Sequence, residues 1–388
     1  MSPASIGIIG SGWRAEYFAR IARQLPERFS LLRVLTRSES SVRRVERDWA
    51  VPATTDLAAF LGAGPYDFVV VAVPREEVPA LVGVLVAADI PVLLETPPAV
   101  DLPALVALWQ AAGGARVQVA EQYHLQPQHA ARLALAASGA LGTVRRATIS
   151  VAHDYHGISL LRFALGVGFG PVELRAATVD DRVLAVRGRD GWFDQATVVD
   201  DIRTTAALDF GPGADGVSRT GVVDFGGEQY VSPIRARRIV MQGERGELDG
   251  DSVARVVDSG PNGTATRVLR VAREALVRES TGADGDLDGY YLRGVSLAGE
   301  LLWHNRFAPA RLNDDELAVA DVMARMAEYG ASGRPFYGLA DASHDHYLSL
   351  LIAESARTGE VVRSTAQPWS AQTSQTSSAD SSIIEETA

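Results

Sequence analysis

An apolar run that closes on a glycine loop and reopens as a helix decides how this chain begins. Ile6-Gly7-Ile8-Ile9 is short and apolar, as a buried parallel strand is, and Gly10-Ser11-Gly12 follows at once. From Trp13 to Arg23 the apolar groups recur at helical spacing. The pattern then repeats. Residues 31–35 read as a strand and 40–49 as a helix. Residues 67–73, Asp67-Phe68-Val69-Val70-Val71-Ala72-Val73, are β-branched and almost wholly apolar, which marks a central strand covered on both faces. A helix at 77–88, a strand at 91–94, a helix near 101–112 and a strand at 116–120 complete the alternation. Strands alternating with helices predict an α/β domain with a doubly wound parallel sheet.

From Ala147 the texture changes. Segments 147–152, 203–210, 219–225, 228–231 and 237–242 have β character with turn residues between them, which predicts an open, mainly antiparallel sheet. Segment 314–329 reads as a helix opening on the N-cap Asn313 with acids in its first turn, and 340–357 as another, with Gly359 just past its end. Residues 254–290 are polar, Gly-rich and carry no clear pattern. Residues 364–388 are rich in Ser, Thr, Ala and Gln without periodicity and read as a disordered tail. A chain of 388 residues exceeds one typical core. The expected division is 1–122, 123–363 and the tail 364–388.

Charge and composition exclude several classes. The net charge of −11 argues against a nucleic-acid partner, which wants a basic face. No cysteine is present, so disulfides and thiolate metal sites are ruled out. No apolar run approaches the ~18 residues of a membrane span. Met1-Ser2-Pro3-Ala4-Ser5 carries no basic leader before the first strand, so a cytoplasmic location is expected.

The loop Gly10-x-Gly12-x-x-Ala15 points to a dinucleotide. Gly10 allows the tight turn, Gly12 lets the backbone approach a pyrophosphate, and Ala15 keeps the helix close to the strand, its N-terminus facing the anion. The context, a strand before and a helix after within a βαβ unit, makes this the signature of a Rossmann domain. Ser11, Trp13 and Arg14 belong to the same loop. After the second strand stand Thr36, Arg37 and Ser38, with no acid directly at the strand end to claim a ribose 2′-hydroxyl; Glu39 is one residue late. Arg37 can pair with a 2′-phosphate and the two hydroxyls can hydrogen-bond to it. NADP is therefore the expected cofactor, with NAD the alternative.

Further landmarks resemble the Gfo/Idh/MocA oxidoreductases, the family of glucose–fructose oxidoreductase and inositol dehydrogenase. They are Val73-Pro74, Glu95-Thr96-Pro97, Glu121-Gln122-Tyr123-His124-Leu125-Gln126-Pro127, Ser138-Gly139-Ala140-Leu141-Gly142, His156 with Leu160-Leu161 and Gly166, Gly243-Glu244-Arg245-Gly246, and the closing Ser355-Ala356-Arg357-Thr358-Gly359-Glu360-Val361-Val362. The resemblance runs from about Ile6 to Val362. It implies a Rossmann domain followed by an α/β domain whose open sheet joins homodimers or homotetramers. It also implies a small sugar-like or polyol substrate, and cofactor contacts from Val73, Pro74, Glu95, Thr96 and Pro97. The chain departs from the family pattern where the chemistry lies. The family's Glu-Lys-Pro lysine maps to Thr96, the acid expected four residues before His156 is Ala152, the Asp expected three after it is Ser159, and a histidine often found after Val-Pro is Val78.

Hydride transfer needs a group that gives or takes a proton on the reacting atom. Threonine does not titrate near pH 7, so Thr96 can only orient. His153-Asp154-Tyr155-His156 packs two imidazoles, a carboxylate and a phenol into four residues. His156 is the leading acid–base candidate, and Tyr123 or His124 is the candidate replacement for the lysine. The His153-x-x-His156 spacing also admits a metal, although the family resemblance does not call for one and no metal site is expected. The leading function is an NAD(P)-dependent oxidoreductase acting on a sugar-like or other small hydroxy, carbonyl or imine substrate. The alternatives are a redox-neutral NAD-dependent glycosidase or lyase, and a non-catalytic NADP-binding protein.

Overall fold

The computed structural model describes residues 2–112, 114–188, 191–258, 269–282 and 289–376. The first sheet is built from β1 (Ala4–Ile9), β2 (Phe29–Leu35), β3 (Ala53–Thr54), β4 (Phe68–Val71), β5 (Val92–Leu94) and β6 (Val117–Val119). Its order is β3-β2-β1-β4-β5-β6, all parallel, with α1 (Trp13–Gln24), α2 (Glu39–Asp48), α3 (Leu57–Leu61), α4 (Val78–Ala87) and α5 (Leu102–Ala112) as crossovers. Ile6, Ile8, Phe68, Val69, Val70, Val92, Leu93 and Leu94 are fully buried, as strands covered on both faces require. The strand order reverses between β1 and β4, and the register Ile9↔Val71 and Ile9↔Leu35 aligns the carboxyl ends of three strands there. Ligands of doubly wound sheets bind outside such a switch point.

The second sheet has eleven strands in the order β16-β15-β14-β13-β12-β11-β7-β10-β9-β8-β17. Its centre is β7 (Val144–Ser150), which pairs parallel with β10 (Ser218–Gly226) and antiparallel with β11 (Arg238–Gly243). The segment at 254–290 that carries no pattern in the sequence supplies β13 (Ser252–Asp258) and β14 (Leu269–Ser280) within its described part. β12 (Gly246–Asp249), β15 (Leu292–Leu297) and β16 (Glu300–His304) extend this half, and β17 (Val362–Arg363) closes the other edge. Residues 228–231 are not a strand: Gly227–Tyr230 forms one 3-10 turn. α6 (Pro127–Ala137) leads into the sheet, and α7 (Asp154–Leu165) follows β7. A Cβ at Gly221 of β10 would sit 2.6 Å from the Leu161 side chain, so only glycine lets α7 lie this close to the sheet.

β8 (Glu173–Gly188) and β9 (Gly191–Pro212) run together far beyond their neighbours. β10 reaches only to Arg203 of β9, so the paired residues beyond Val179↔Arg203 form a two-stranded ribbon among the described residues. Val179 at its base and Leu184, Trp192, Phe193, Val198 and Ile202 on this ribbon are exposed.

The chain divides into two compact units. The first holds Met1–Pro127 but also Ser280–Arg293 and Asn305–Ser343, including α8 (Asp314–Ser332) with its Asn313–Glu316 capping box. The second holds Gln128–Glu279, Gly294–His304 and His344–Ala388, with most of α9 (Leu339–Thr358). A single division at 122/123 is thus too simple, because the chain returns to its first unit. The tail also needs correction. Residues 364–376 are anchored at a few positions: Trp369 is completely buried and Ser374 and Thr376 nearly so. Ser364 exchanges hydrogen bonds with Val172, its hydroxyl accepting at 2.8 Å and its amide donating at 2.8 Å. Low periodicity failed there because one tryptophan and a few hydroxyls anchor an irregular segment. The rest of the expected tail, 377–388, lies outside the described residues.

Candidate functional site

All thirteen residues named from sequence as cofactor contacts line one cleft of about 1350 Å³ in the first unit: Gly10, Ser11, Gly12, Trp13, Arg14, Thr36, Arg37, Ser38, Val73, Pro74, Glu95, Thr96 and Pro97. They converge because each follows the carboxyl end of a parallel strand. Gly10 has φ +121°, and a Cβ there would lie 2.1 Å from the Ala72 carbonyl oxygen, so β1 can turn this close to β4 only with glycine. Gly12 is different: a Cβ there would meet nothing within 4 Å. No side chain caps α1, whose first residues line the cleft. An uncapped helix start beside open space at a glycine fits the pyrophosphate of a dinucleotide.

Glu95 and Thr96 line the same cleft. Arg14 Nε donates to Glu95 Oε1 at 2.6 Å, while Glu95 Oε2 accepts from the Thr96 amide at 2.7 Å and the Thr96 hydroxyl at 3.3 Å. Asp315 Oδ2 lies 3.9 Å from the same guanidinium. Burial opposes the Arg14 charge, but Glu95 and Asp315 outweigh it and hold the group above its ordinary pKa. Trp13, Tyr17 and Phe18 surround the guanidinium at 5.2–5.7 Å. Thr96 is therefore hydrogen-bonded to the same carboxylate that Arg14 holds, which suits orientation rather than proton donation.

The part of the cleft beyond β2 carries hydroxyls and one exposed cation. Ser38 is the N-cap of α2: its Oγ accepts from the Ser41 amide at 3.2 Å and lies 2.9 Å from Ser40 Oγ. Arg37 is 78% exposed and 3.4 Å from Glu77, a loose surface pair worth little by itself. Glu39, the nearest acid after β2, accepts from the Thr55 hydroxyl at 2.9 Å.

Tyr123 and His124 begin a 3-10 turn in the first unit. The Tyr123 amide donates to Glu121 Oε1 at 3.0 Å and its side chain is half-buried. His124 departs from the sequence expectation. It is 2% exposed, packs at a tilt against Tyr337 with ring centroids 5.6 Å apart, and does not line the cleft. Burial, followed by the Arg325 charge, pushes its pKa down to about 3. A ring held neutral in a core is not a proton relay at neutral pH, so His124 is a packing residue.

His156 belongs to the second unit, where α7 opens directly after β7. Asp154 takes φ +44°, a left-handed conformation that aspartate tolerates better than most residues, and turns the chain into the helix. An aromatic cluster forms here. Tyr155 and His156 rings lie 4.3 Å apart, His153 and His156 5.3 Å, and Tyr155 meets His346 of α9 at 5.8 Å. Tyr230 is the member that sequence reading missed. Its hydroxyl shares a short hydrogen bond with His153 Nδ1 and accepts from the His153 amide at 3.1 Å. Only the 3-10 turn at 227–230 brings it there, and a strand pattern had hidden it. His153 is exposed while His156 is 7% exposed. Among the described residues, no group of three or more His, Asp or Glu assembles as a metal site would require.

Residues 4–123 match the profile of an oxidoreductase family with an NAD-binding Rossmann fold, GFO_IDH_MocA. No curated protein matches the chain in sequence. Solved structures resemble it along almost its whole length. An oxidoreductase from Agrobacterium radiobacter, in complex with NAD+, L-tartaric acid and magnesium, is 19% identical with a TM-score of 0.62, covering 93% of this chain and 98% of that one. A myo-inositol dehydrogenase from Corynebacterium glutamicum is 17% identical with a TM-score of 0.61 (94% and 100% covered). The WlbA dehydrogenase from Bordetella pertussis, in complex with NADH and UDP-GlcNAcA, is 15% identical with a TM-score of 0.59 (94% and 100%). At these identities the likeness speaks for the fold. No helix among the described residues is long and apolar enough to cross a membrane.

Proposed function

We propose that this chain, whose N-terminal domain belongs to the Gfo/Idh/MocA oxidoreductases, is an NADP-preferring enzyme acting on a small sugar-like hydroxy or carbonyl compound or a cyclic imine. The observation that carries the reading is the convergence of all thirteen contact residues on one cleft, with an uncapped helix start and open space at Gly12. A bound nicotinamide ring supplies or accepts the hydride. The α1 amides and Gly12 hold the pyrophosphate. Arg37 and the hydroxyls of Thr36 and Ser38 receive a 2′-phosphate; Glu39 is turned to Thr55 and does not oppose it. Thr96 orients through Glu95.

His156 gives or takes the proton at the reacting oxygen or nitrogen, and the neighbouring Tyr155, His153 and Tyr230 hold its surroundings. Tyr123 is the remaining candidate named from sequence for a polar contact to substrate. The loss of the family lysine is then compensated by imidazole rather than by Thr96. A cytoplasmic location and a homodimer or homotetramer built through the C-terminal sheet belong to the same reading. The exposed apolar residues of the β8–β9 ribbon support the latter, since a bare two-stranded ribbon is marginal in water.

The test is titration of NADPH and NADH by nicotinamide fluorescence. Wild type should bind NADPH ten- to a hundredfold more tightly, the worth of one charge-assisted contact at roughly 1.5–3 kcal/mol. Arg37→Ala should erase the difference. Equal affinities in wild type, or an NADH preference untouched by Arg37→Ala, refute the cofactor assignment.

A further inference from the structure

Helix α7 of the second unit carries, near its far end, a fully buried arginine. Arg162 has no exposed side-chain surface, and its Nη1 lies 2.5 Å from Asp345 Oδ1 on α9, itself 1% exposed. A buried guanidinium must have its fixed fork of donors satisfied, and leaving one unmade is costly. Asp345 does not do this alone. Arg162 Nη2 donates at 2.7 Å to the hydroxyl of Ser374, from the segment read in sequence as a disordered tail. Ser374 Oγ is in turn 2.7 Å from Thr376 Oγ1, and the Thr376 hydroxyl donates at 2.7 Å to the Val167 carbonyl, just past the end of α7. Trp369, wholly buried, anchors the same segment, and the Thr365 amide donates to the Tyr347 hydroxyl of α9 at 3.0 Å. The C-terminal segment thus straps α7 and α9 together.

What the strap holds is the aromatic cluster. Asp345 stands between His344 and His346 on α9. His346 meets Tyr155, which meets His156 at the start of α7. His344 meets Phe169 at 5.1 Å, over which the Arg162 guanidinium also lies at 5.1 Å. The Arg162–Asp345 contact therefore sets where α9 lies along α7, and the two histidines flanking Asp345 take their places from it.

We propose that Ser374 and Arg162 are positioning residues: residues 364–376 form a strap that, through Ser374, Arg162 and Asp345, aligns the imidazoles of α9 with His156. The proposal rests on the reading of the His156 cluster as the acid–base centre only for its catalytic meaning; the alignment itself is a structural statement.

The experiment follows the imidazole ring-proton NMR signals of the seven histidines in the full chain. Ring stacking displaces these signals, so they report packing directly. Ser374→Ala should move the signals of His344, His346 and His156 and leave His129 of α6, which bonds Arg132 instead, unmoved. Ser374→Thr, which keeps the hydroxyl, should restore them. Truncation after Arg363 should give the same displacements, larger, with a melting temperature lowered by several degrees. If the truncated chain does not fold, the single-hydroxyl variants still decide the matter. Unchanged His344, His346 and His156 signals in Ser374→Ala overturn the proposal, as does Ser374→Thr failing to restore them. No cofactor or substrate enters the measurement. Failure to bind NADPH would refute the functional reading and leave the strap standing; unmoved imidazoles would do the reverse.

Discussion

Acid should destabilise the first unit through one buried imidazole, that of His124. The ring is 2% exposed, and burial with the Arg325 charge holds its native pKa at about 3. In the unfolded chain a histidine titrates near ~6.5. Above that pH both states are neutral and nothing is gained or lost. Below it the unfolded chain takes a proton that the native ring refuses, and stability falls by about 1.4 kcal/mol per pH unit until the native ring titrates in turn. Between pH 7.5 and 5.5 the loss from His124 alone is about 1.4 kcal/mol, a sizeable part of a typical stability of ~5–15 kcal/mol. His129 and His344 shift in the same direction, burial leading in each case, with Arg132 and Arg237 behind the first and Arg162 behind the second. Urea unfolding at the two pH values should show wild type losing stability and His124→Asn losing about 1.4 kcal/mol less. An equal loss in both proteins, or a native His124 signal titrating between pH 6 and 7, would refute the burial argument and return His124 to the acid–base candidates.

Three further outcomes are expected. Gly12→Val should abolish NADPH binding while leaving the melting temperature nearly unchanged, because the added methyls enter open space in the protein but occupy the room a pyrophosphate needs; a folded variant with wild-type affinity would move the site elsewhere. His156→Asn should slow turnover of any accepted substrate by at least ~10²-fold, whereas Thr96→Ala costs far less. Thr96→Lys should not speed turnover, since Glu95 is already claimed by Arg14; near-wild-type kinetics for His156→Asn would shift the assignment to Tyr123. Val198→Glu with Ile202→Glu, both on the exposed ribbon, should lower the mass measured by light scattering to that of one chain; a wild type that is itself monomeric, or a variant that still associates, would exclude the ribbon as the contact.

The local order of the chain was enough to bring the thirteen residues proposed for the cofactor to one cleft. Each contact residue follows a strand that the apolar pattern makes visible, and parallel pairing brings the strand ends together without any further choice. Thr96 and Ala152, which stand where the pattern that the chain resembles has a lysine and an acid, could likewise be read directly. Tertiary packing decided the rest. His124 and His156 are both acid–base candidates in sequence, His156 the leading one, yet only the fold shows that one is held neutral beside Arg325 in a core and the other sits in an aromatic cluster. Tyr230 reaches His153 across 77 positions, and Arg162 reaches Asp345 across 183 and Ser374 across 212. Periodicity reports that a face is buried; it does not say against what. Partners so distant in the chain are chosen by which elements pack together, and the protonation and alignment of the buried groups follow from that choice.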